Sequence, residues 1–437
     1  MTQDGDARGA VRAEAARRAL LGSFFGTALE TYDFILFGSA AGIIFGRLYF
    51  PNSDPTAGTL LAYGAFAVGF IARPLGGIVF GNYGDKLGRK PMLLITLGLM
   101  GIVTVAIGAL PTYAQIGIAA PILLTVLRFA QGIAYGGEWG GAVVLVIEYA
   151  PPGRRGFFGG CTNAGTSLGS VLALGMLSLT SYATGDAFFS WGWRIPFLFS
   201  LVLIAIGLYV RTRILETPEF LALKRSGRER KLPILDAIRS HYRQILLTAG
   251  TLLMINAGFY VTSVFMLSYG GITLNLGMGT MLNAVMVATF VQIFATTGFG
   301  ALSDRIGRVP VVMGGAVFVA LYIFPLFWLL QTRDPMLVTA GITVAAIAFG
   351  ALYGPIAALF AEAFDTGVRY SGASLGYQIG SVFGGGLAPL IATALLQRLG
   401  GATWPVCLYL IALAVVAVAC LAALGETADR RAYAAGD

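Results

Sequence analysis

Most of this 437-residue chain is divided into long apolar stretches, and no other feature limits its fold so severely. A stretch of roughly 20 such residues crosses the hydrocarbon of a bilayer. There every backbone N–H and C=O must find a partner within the protein, so each stretch is expected to be a helix. The stretches run approximately over 19–46, 58–81, 91–111, 117–149, 156–184, 192–211, 244–268, 279–302, 310–331, 336–364, 371–397 and 403–424. Charged residues make up only 11% of the chain, against roughly 25% in a soluble domain, so lipid is the natural solvent for most of its surface. The expectation is an all-α membrane protein of twelve transmembrane helices in two six-helix bundles. It has an N-terminal segment over 1–18, a first bundle over 19–211, a polar linker over 212–243, a second bundle over 244–424 and a tail over 425–437. The linker carries Lys224, Arg225, Arg228, Glu229, Arg230 and Lys231.

One phrase occurs twice. Gly81, Asp85, Lys86, Gly88, Arg89 and Lys90 read G-x-x-x-D-K-x-G-R-K, and Gly300, Asp304, Arg305, Gly307 and Arg308 read G-x-x-x-D-R-x-G-R. The two glycines that open the copies lie 219 positions apart, about half the chain. Each copy sits between two apolar stretches, so the halves read as a duplication. Lysine and arginine set the orientation. With both termini on the cytoplasmic side, 23 of the 29 basic residues fall there and four on the other face. The net charge of +8 is thereby a topology signal, and nucleic acid is excluded as a partner. No cleavable signal peptide is evident.

Enzyme chemistry finds no support. There is no nucleophile–base set, no metal-ligand spacing and no phosphate loop, so no catalytic residue, metal or cofactor is expected. Cys161, Cys407 and Cys420 lie in apolar context and read as packing residues. The single histidine, His241, reads as an exposed loop residue.

Charge inside a membrane segment is costly and marks function. The first helix carries Glu30 and Asp33, one turn apart on one face. Two carboxylates so close should not both ionise easily in a low-dielectric site, so one is expected to hold a proton, with Asp33 favoured over Glu30. The fourth helix carries Arg128, Gln131, Tyr135 and Glu138 as a polar stripe that must face the bundle interior or a watery cavity. Arg128 offers a guanidinium fork to a substrate carboxylate or to Asp33. Glu138 is a further candidate proton site. In the second half Asn256, Tyr260, Gln292 and Tyr353 are candidate substrate contacts, with helix packing as the alternative for each. Tyr377, Gln378 and Ser381 either hydrogen-bond a substrate or bind helix to helix, and packing is the favoured reading for each. Arg73 reads as a snorkelling residue near the cytoplasmic end of the second helix.

Twelve helices, the six-plus-six split and the doubled loop phrase resemble the major facilitator superfamily. Further phrases narrow the resemblance to its metabolite:proton symporter family: Glu30-Thr31-Tyr32-Asp33-Phe34, Arg73-Pro74-Leu75-Gly76-Gly77, Gly136-Gly137-Glu138-Trp139-Gly140-Gly141, Trp191 to Phe197, Glu216-Thr217-Pro218 and Arg369 to Ser374. Thr31 departs from it where relatives often carry an aromatic residue, and Val309 where a basic residue ends the second loop phrase. The resemblance implies proton-coupled symport of a small organic acid by alternating access, in the inner membrane, by a monomer. A proline- or betaine-type zwitterion carrier and a non-transporting membrane receptor are the alternatives. It also implies that the loop phrases latch the outward-facing state, that Arg128 serves coupling or anion binding, and that Tyr32 joins the substrate-facing set. The fifth helix lacks a Gly-Pro pair of the kind that resembles the antiporter signature, which favours symport.

Overall fold

The computed structural model describes residues 2–87, 89–136, 139–212, 233–365 and 368–427, with the side chains of 2–13, 15, 81–91, 93, 210–212, 233–236 and 272 outside the description. Among these residues the apolar stretches are helices joined by short connections. In chain order they are α1 (Ala16–Tyr49), α2 (Pro55–Phe80), α3 (Leu94–Ala109), α4 (Ala119–Tyr149), α5 (Arg155–Phe188) and α6 (Arg194–Tyr209). The second six are α7 (Ala237–Gly271), α8 (Met278–Ile306), α9 (Arg308–Gln331), α10 (Pro335–Glu362), α11 (Arg369–Arg398) and α12 (Trp404–Leu424). Helix α4 is described in two pieces, Ala119–Gly136 and Trp139–Tyr149. All but α3 and α6 have the length and apolar character to cross a membrane, and those two are shorter apolar helices.

One boundary differs from the hydropathy reading. Helix begins at Pro233, inside the polar segment assigned to the linker, and runs into α7 through a kink at His241 (φ −132°, ψ 24°). Hydropathy marks only the part of a helix that meets lipid, so it misses this polar lead-in. His241 is therefore not a loop residue. It is half-buried, and its Nε2 lies 3.2 Å from the carboxylate of Asp365.

In the first half α1 packs on α5, α2 on α4, and α3 on α6. In the second half α7 packs on α11 and α12, α8 on α10, and α9 on α10 and α12. Across the halves α5 meets α8 and α2 meets α11, so α2 stands to α11 as α8 stands to α5. That is the approximate twofold relation expected of a duplicated bundle. The α2–α4 contact is made backbone to backbone: a Cβ at Gly132 would strike the carbonyl of Gly69, and one at Gly136 the carbonyl of Arg73. Small residues that allow such approach replace the hydrophobic drive that lipid removes.

Two wide π-helical turns match across the duplication, Ala41–Phe45 in α1 and Val261–Phe265 in α7. A widened turn frees a carbonyl. The Tyr63 hydroxyl on α2 donates to the carbonyl of Val264 (3.2 Å) and lies 3.0 Å from Ser268 Oγ. This joins the halves at the end of the bundle opposite the loop phrases.

Candidate functional site

Polar side chains on apolar helices must be buried against one another, and here they converge on the seam between the halves. A cavity of about 20 Å³ lies there, lined by Thr31 of α1, Tyr135 of α4, Thr166 of α5, Asn256 and Tyr260 of α7, Gln292 of α8, Tyr353 of α10 and Tyr377 of α11, among others. Its volume accommodates about one water. Five residues singled out in the sequence, Tyr135, Asn256, Tyr260, Gln292 and Tyr353, thus share one cavity with contributions from both halves. Each is also tied into the helices. Asn256 Nδ2 donates to Ser381 Oγ (2.9 Å), and the Tyr353 and Tyr377 hydroxyls lie 3.2 Å apart. The Tyr260 ring meets Phe66 and Phe70 of α2 edge-on, with centroids 5.6 and 5.2 Å away. Tyr377 stacks on Trp139 at 3.7 Å.

Two cavity residues, Thr31 and Thr166, were missed by sequence reasoning. Thr31 stood out only as a departure from the family pattern and Thr166 carried no signal, while Tyr377, for which packing was the favoured of two readings, lines the cavity. A threonine or tyrosine in an apolar helix is common enough that only the helix's rotation shows whether it faces a cavity. Tyr32 is corrected by the same rotation. Its hydroxyl donates to the Pro196 carbonyl on α6 (2.7 Å), so it turns away from the cavity into the first half.

Behind the cavity wall lies a buried polar chain. Arg128, fully buried, donates through Nη1 to Gln131 Oε1, and Gln131 Nε2 donates to Thr104 Oγ1 of α3 (2.7 Å). Thr104 also stands beside Asp33, whose carboxylate accepts from Ser200 Oγ of α6 (2.7 Å). Among the described residues no ion pair joins Asp33 to Arg128 directly. The Thr104 hydroxyl and the Gln131 amide stand between them instead. Glu30 is buried on the same helix as Asp33. Arg73 does not snorkel: it is 1% exposed, with its guanidinium carbon about 4 Å from the ring centroids of Phe34, Phe70 and Tyr135. Glu138 lies outside the described residues.

The second copy of the loop phrase closes the same end of the bundle. Helix α5 begins at Arg155 with free backbone N–H groups, and the Asp304 carboxylate accepts from Gly156 N (2.7 Å) and Phe157 N (2.8 Å) across the halves. A carboxylate there completes orphan donors and meets the positive end of the helix dipole. Arg308 Nη1 donates to Asp304 (2.8 Å), and its Nε and Nη2 face Glu362 at 3.3 and 3.4 Å. Gly300 packs on Gly156, where a side chain on either would collide with backbone. Gly307 takes φ 104°, a conformation that favours glycine, to start α9. Glu426, beyond α12, caps that helix by accepting from the N–H groups of Arg308 (2.9 Å) and Val309 (3.2 Å). Arg305 is exposed. In the first copy Gly88 and the side chains of Asp85, Lys86, Arg89 and Lys90, with Gly81, lie outside the described residues.

Two ion pairs flank this closure. Arg155 of α5 reaches Glu362 of α10 (3.8 Å), and Arg369 of α11 reaches Glu148 of α4 (3.9 Å). Glu148 and Glu362 are 214 positions apart, as are Arg155 and Arg369, so one pair is the duplicate of the other. At the opposite end a cavity of about 300 Å³ opens above the Tyr63 closure, lined by Arg47, Thr59, Asn275 and Met278 among others.

Comparison with known proteins agrees with this geometry. A family model described as Major Facilitator Superfamily matches residues 20–385. The chain is 40% identical to the shikimate transporter of Escherichia coli K12 over 92% of this chain and 93% of that one. It is 39% identical to the inner membrane metabolite transport protein YhjE of the same organism, over 94% of each. It is 35% identical to the E. coli K12 proline/betaine transporter, over 95% of this chain and 84% of the other. Among solved structures, a partially occluded inward-open form of the E. coli xylose transporter XylE superposes with a TM-score of 0.72 at 16% identity, over 95% of this chain and 99% of that one.

Proposed function

We propose that this chain, which belongs to the Major Facilitator Superfamily, is a proton-coupled symporter that takes up a small organic anion by alternating access about the central cavity. That it is a multi-pass membrane transporter of the shikimate, metabolite and proline/betaine kind follows from the family and its relatives. The proton coupling, the carboxylate substrate and the orientation with both termini in the cytoplasm are our reading.

The buried chain Asp33–Thr104–Gln131–Arg128 carries it. A carboxylate able to take a proton and a guanidinium able to take an anion stand at the two ends of one buried polar chain, in which Arg128 and Gln131 bond through to Thr104 and Asp33 lies beside it, without neutralising each other. Protonation of Asp33 removes a negative charge from that network and leaves Arg128 more attractive to an anion. Anion and proton together leave the loaded site with less net charge to bury when the halves rock. In this arrangement Asp33 holds the proton, Arg128 grips the anion, and Gln131 and Thr104 position both. The cavity residues of the second half shape the remainder of the substrate. The positive-inside bias supports loop phrases that face the cytoplasm, and on that reading the Asp304 latch and the two flanking ion pairs form a cytoplasmic gate. Tyr63 and Tyr260 belong to the outer one.

Purified protein in proteoliposomes tests the reading. Accumulation of a radiolabelled organic acid should rise with an inward proton gradient and collapse on addition of an uncoupler. Accumulation indifferent to the gradient removes the symport mechanism.

A second reading has one observation in its favour. The cavity wall is rich in aromatic rings, which suits a quaternary ammonium group through cation–π attraction. A betaine-type zwitterion would then be the substrate. Two buried arginines beside the cavity weigh against a cationic group, and competition of betaine against carboxylate uptake decides between them.

A further inference from the structure

We propose that Arg73 is a second anion anchor beside Arg128, and that the two guanidinium groups together select a short organic anion bearing two carboxylates over one bearing a single carboxylate. The inference rests on the anion-transport reading above and adds a specificity residue to it.

Both arginines are buried, at 1% and 0% exposure, and both lie on the ring of Phe34. The guanidinium carbon of Arg73 is 4.0 Å from the Phe34 centroid and that of Arg128 is 3.9 Å. The two carbons are therefore within about 8 Å of each other. The backbone contact of α2 with α4 dictates this. With Gly132 seated on Gly69 and Gly136 on Arg73, the helices are close enough that Arg128 lies against Gly69, where a Cβ would stand 2.5 Å from its Nε, and both arginines reach the Phe34 ring of α1. Aromatic faces offset part of the cost of burying a cation. They do not satisfy its N–H groups.

The unsatisfied atoms form a pattern. In both residues it is Nε and Nη2 that have no hydrogen-bond partner among the described residues. These two nitrogens share one edge of the guanidinium plane, the edge that receives a carboxylate side-on through two parallel bonds. Arg128 has its other terminal nitrogen, Nη1, engaged by Gln131, which fixes the plane. The site thus holds two guanidinium groups, each with an open fork and each about 4 Å from the centroid of one ring. Tyr135, whose ring lies 4.1 Å from the Arg73 guanidinium carbon, also lines the central cavity. A single carboxylate completes one fork and leaves the other buried and unmet. A short dicarboxylate completes both. Buried donors left without a partner are what make such sites discriminate strongly.

The test is calorimetric binding to the purified full-length protein, comparing glutarate with valerate, a diacid and a monoacid of equal chain length. The wild type should bind glutarate about tenfold or more tightly than valerate, the scale of one charge-assisted contact. Arg73→Gln should weaken glutarate by about tenfold and leave valerate within about twofold. Arg73→Lys, which keeps charge and bulk but not the fork, should lose most of the preference as well. Equal affinities in the wild type overturn the proposal without any variant having to fold. So does an Arg73→Gln protein that binds both acids equally weakly, because that is the signature of a structural arginine. A diacid preference without proton-driven uptake removes the coupling and leaves the second anchor standing. Proton-driven uptake of a monoacid with no diacid preference does the reverse. Failure of both acids to bind overturns the anchor and the anion reading together.

Discussion

Asp33 accepts its hydrogen bond from Ser200 and not from Arg128, and that separation makes its role testable. Asp33→Asn keeps the shape and the Ser200 contact while removing the exchangeable charge. Gradient-driven accumulation should fall by about a hundredfold or more, the loss typical of removing a group that acts in proton transfer. Counterflow exchange should persist, since it needs no net proton movement. An Asp33→Asn protein that still concentrates substrate clears Asp33. A second residue-scale prediction concerns the glycine beneath Arg128. A Cβ at Gly69 would meet Arg128 Nε, so Gly69→Ala should push the guanidinium off Phe34. Anion affinity should drop by about tenfold, the value of one charge-assisted contact, with the folded protein retained in size-exclusion chromatography. Much of the site could be read from the chain because asparagine, glutamine and tyrosine in apolar helices announce themselves. Arg73 could not. Its position suggests a helix end, and only the packing of α2 on α4 and α1 reveals that no path to water remains. Thr104 was hidden for another reason: a threonine in a membrane helix more often bonds its own backbone, as Thr104 also does with Met100 (2.9 Å).

At the scale of elements, helix existence followed from hydropathy because a bilayer permits little else. Helix rotation and the polar lead-in to α7 did not, since neither alters the apolar count. The Asp304 cap on α5 is the contact most specific to one arrangement of the halves. It satisfies two N–H groups of a helix that belongs to the other half, so it must break whenever that end opens. Hydrogen bonds to a charged group contribute about 1.5–3 kcal/mol each. Asp304→Asn should therefore shift the balance toward opening at that end by about tenfold or more. Thiol labelling of Cys161, which lies on α5 little more than one turn inside the latch and is partly exposed, reports this. Labelling should quicken, and an unchanged rate would show that the latch carries no conformational weight.

For the whole molecule, the duplicated ion pairs Glu148–Arg369 and Arg155–Glu362 make a symmetric clasp around the same end. Each is long, and Arg155 is nearly half exposed, so each contributes about 0–1 kcal/mol. Loss of one pair should change transport rate less than about fivefold. In a double-mutant cycle, exchanging charges as Glu148→Arg with Arg369→Glu should recover what Glu148→Arg alone loses. Failure of the exchange to rescue would mean that the residues act separately.

The seam of α2 on α4 has a mechanical consequence. Helix continues past α2 without interruption to Leu87, so one rod carries Arg73 near its middle and the first loop phrase at its tip. At 1.5 Å per residue, Asp85 is about 18 Å from Arg73 along that rod. Pro74 sits between them and would ordinarily make a soft joint. Contacts with α4 on both sides of Pro74, through Gly69 and Arg73 before it and Gly76 after it, act as a splint across the joint. A stiff lever transmits in both directions: a tug on the arginines is felt at the tip, and a jolt at the tip is felt by whatever the arginines hold.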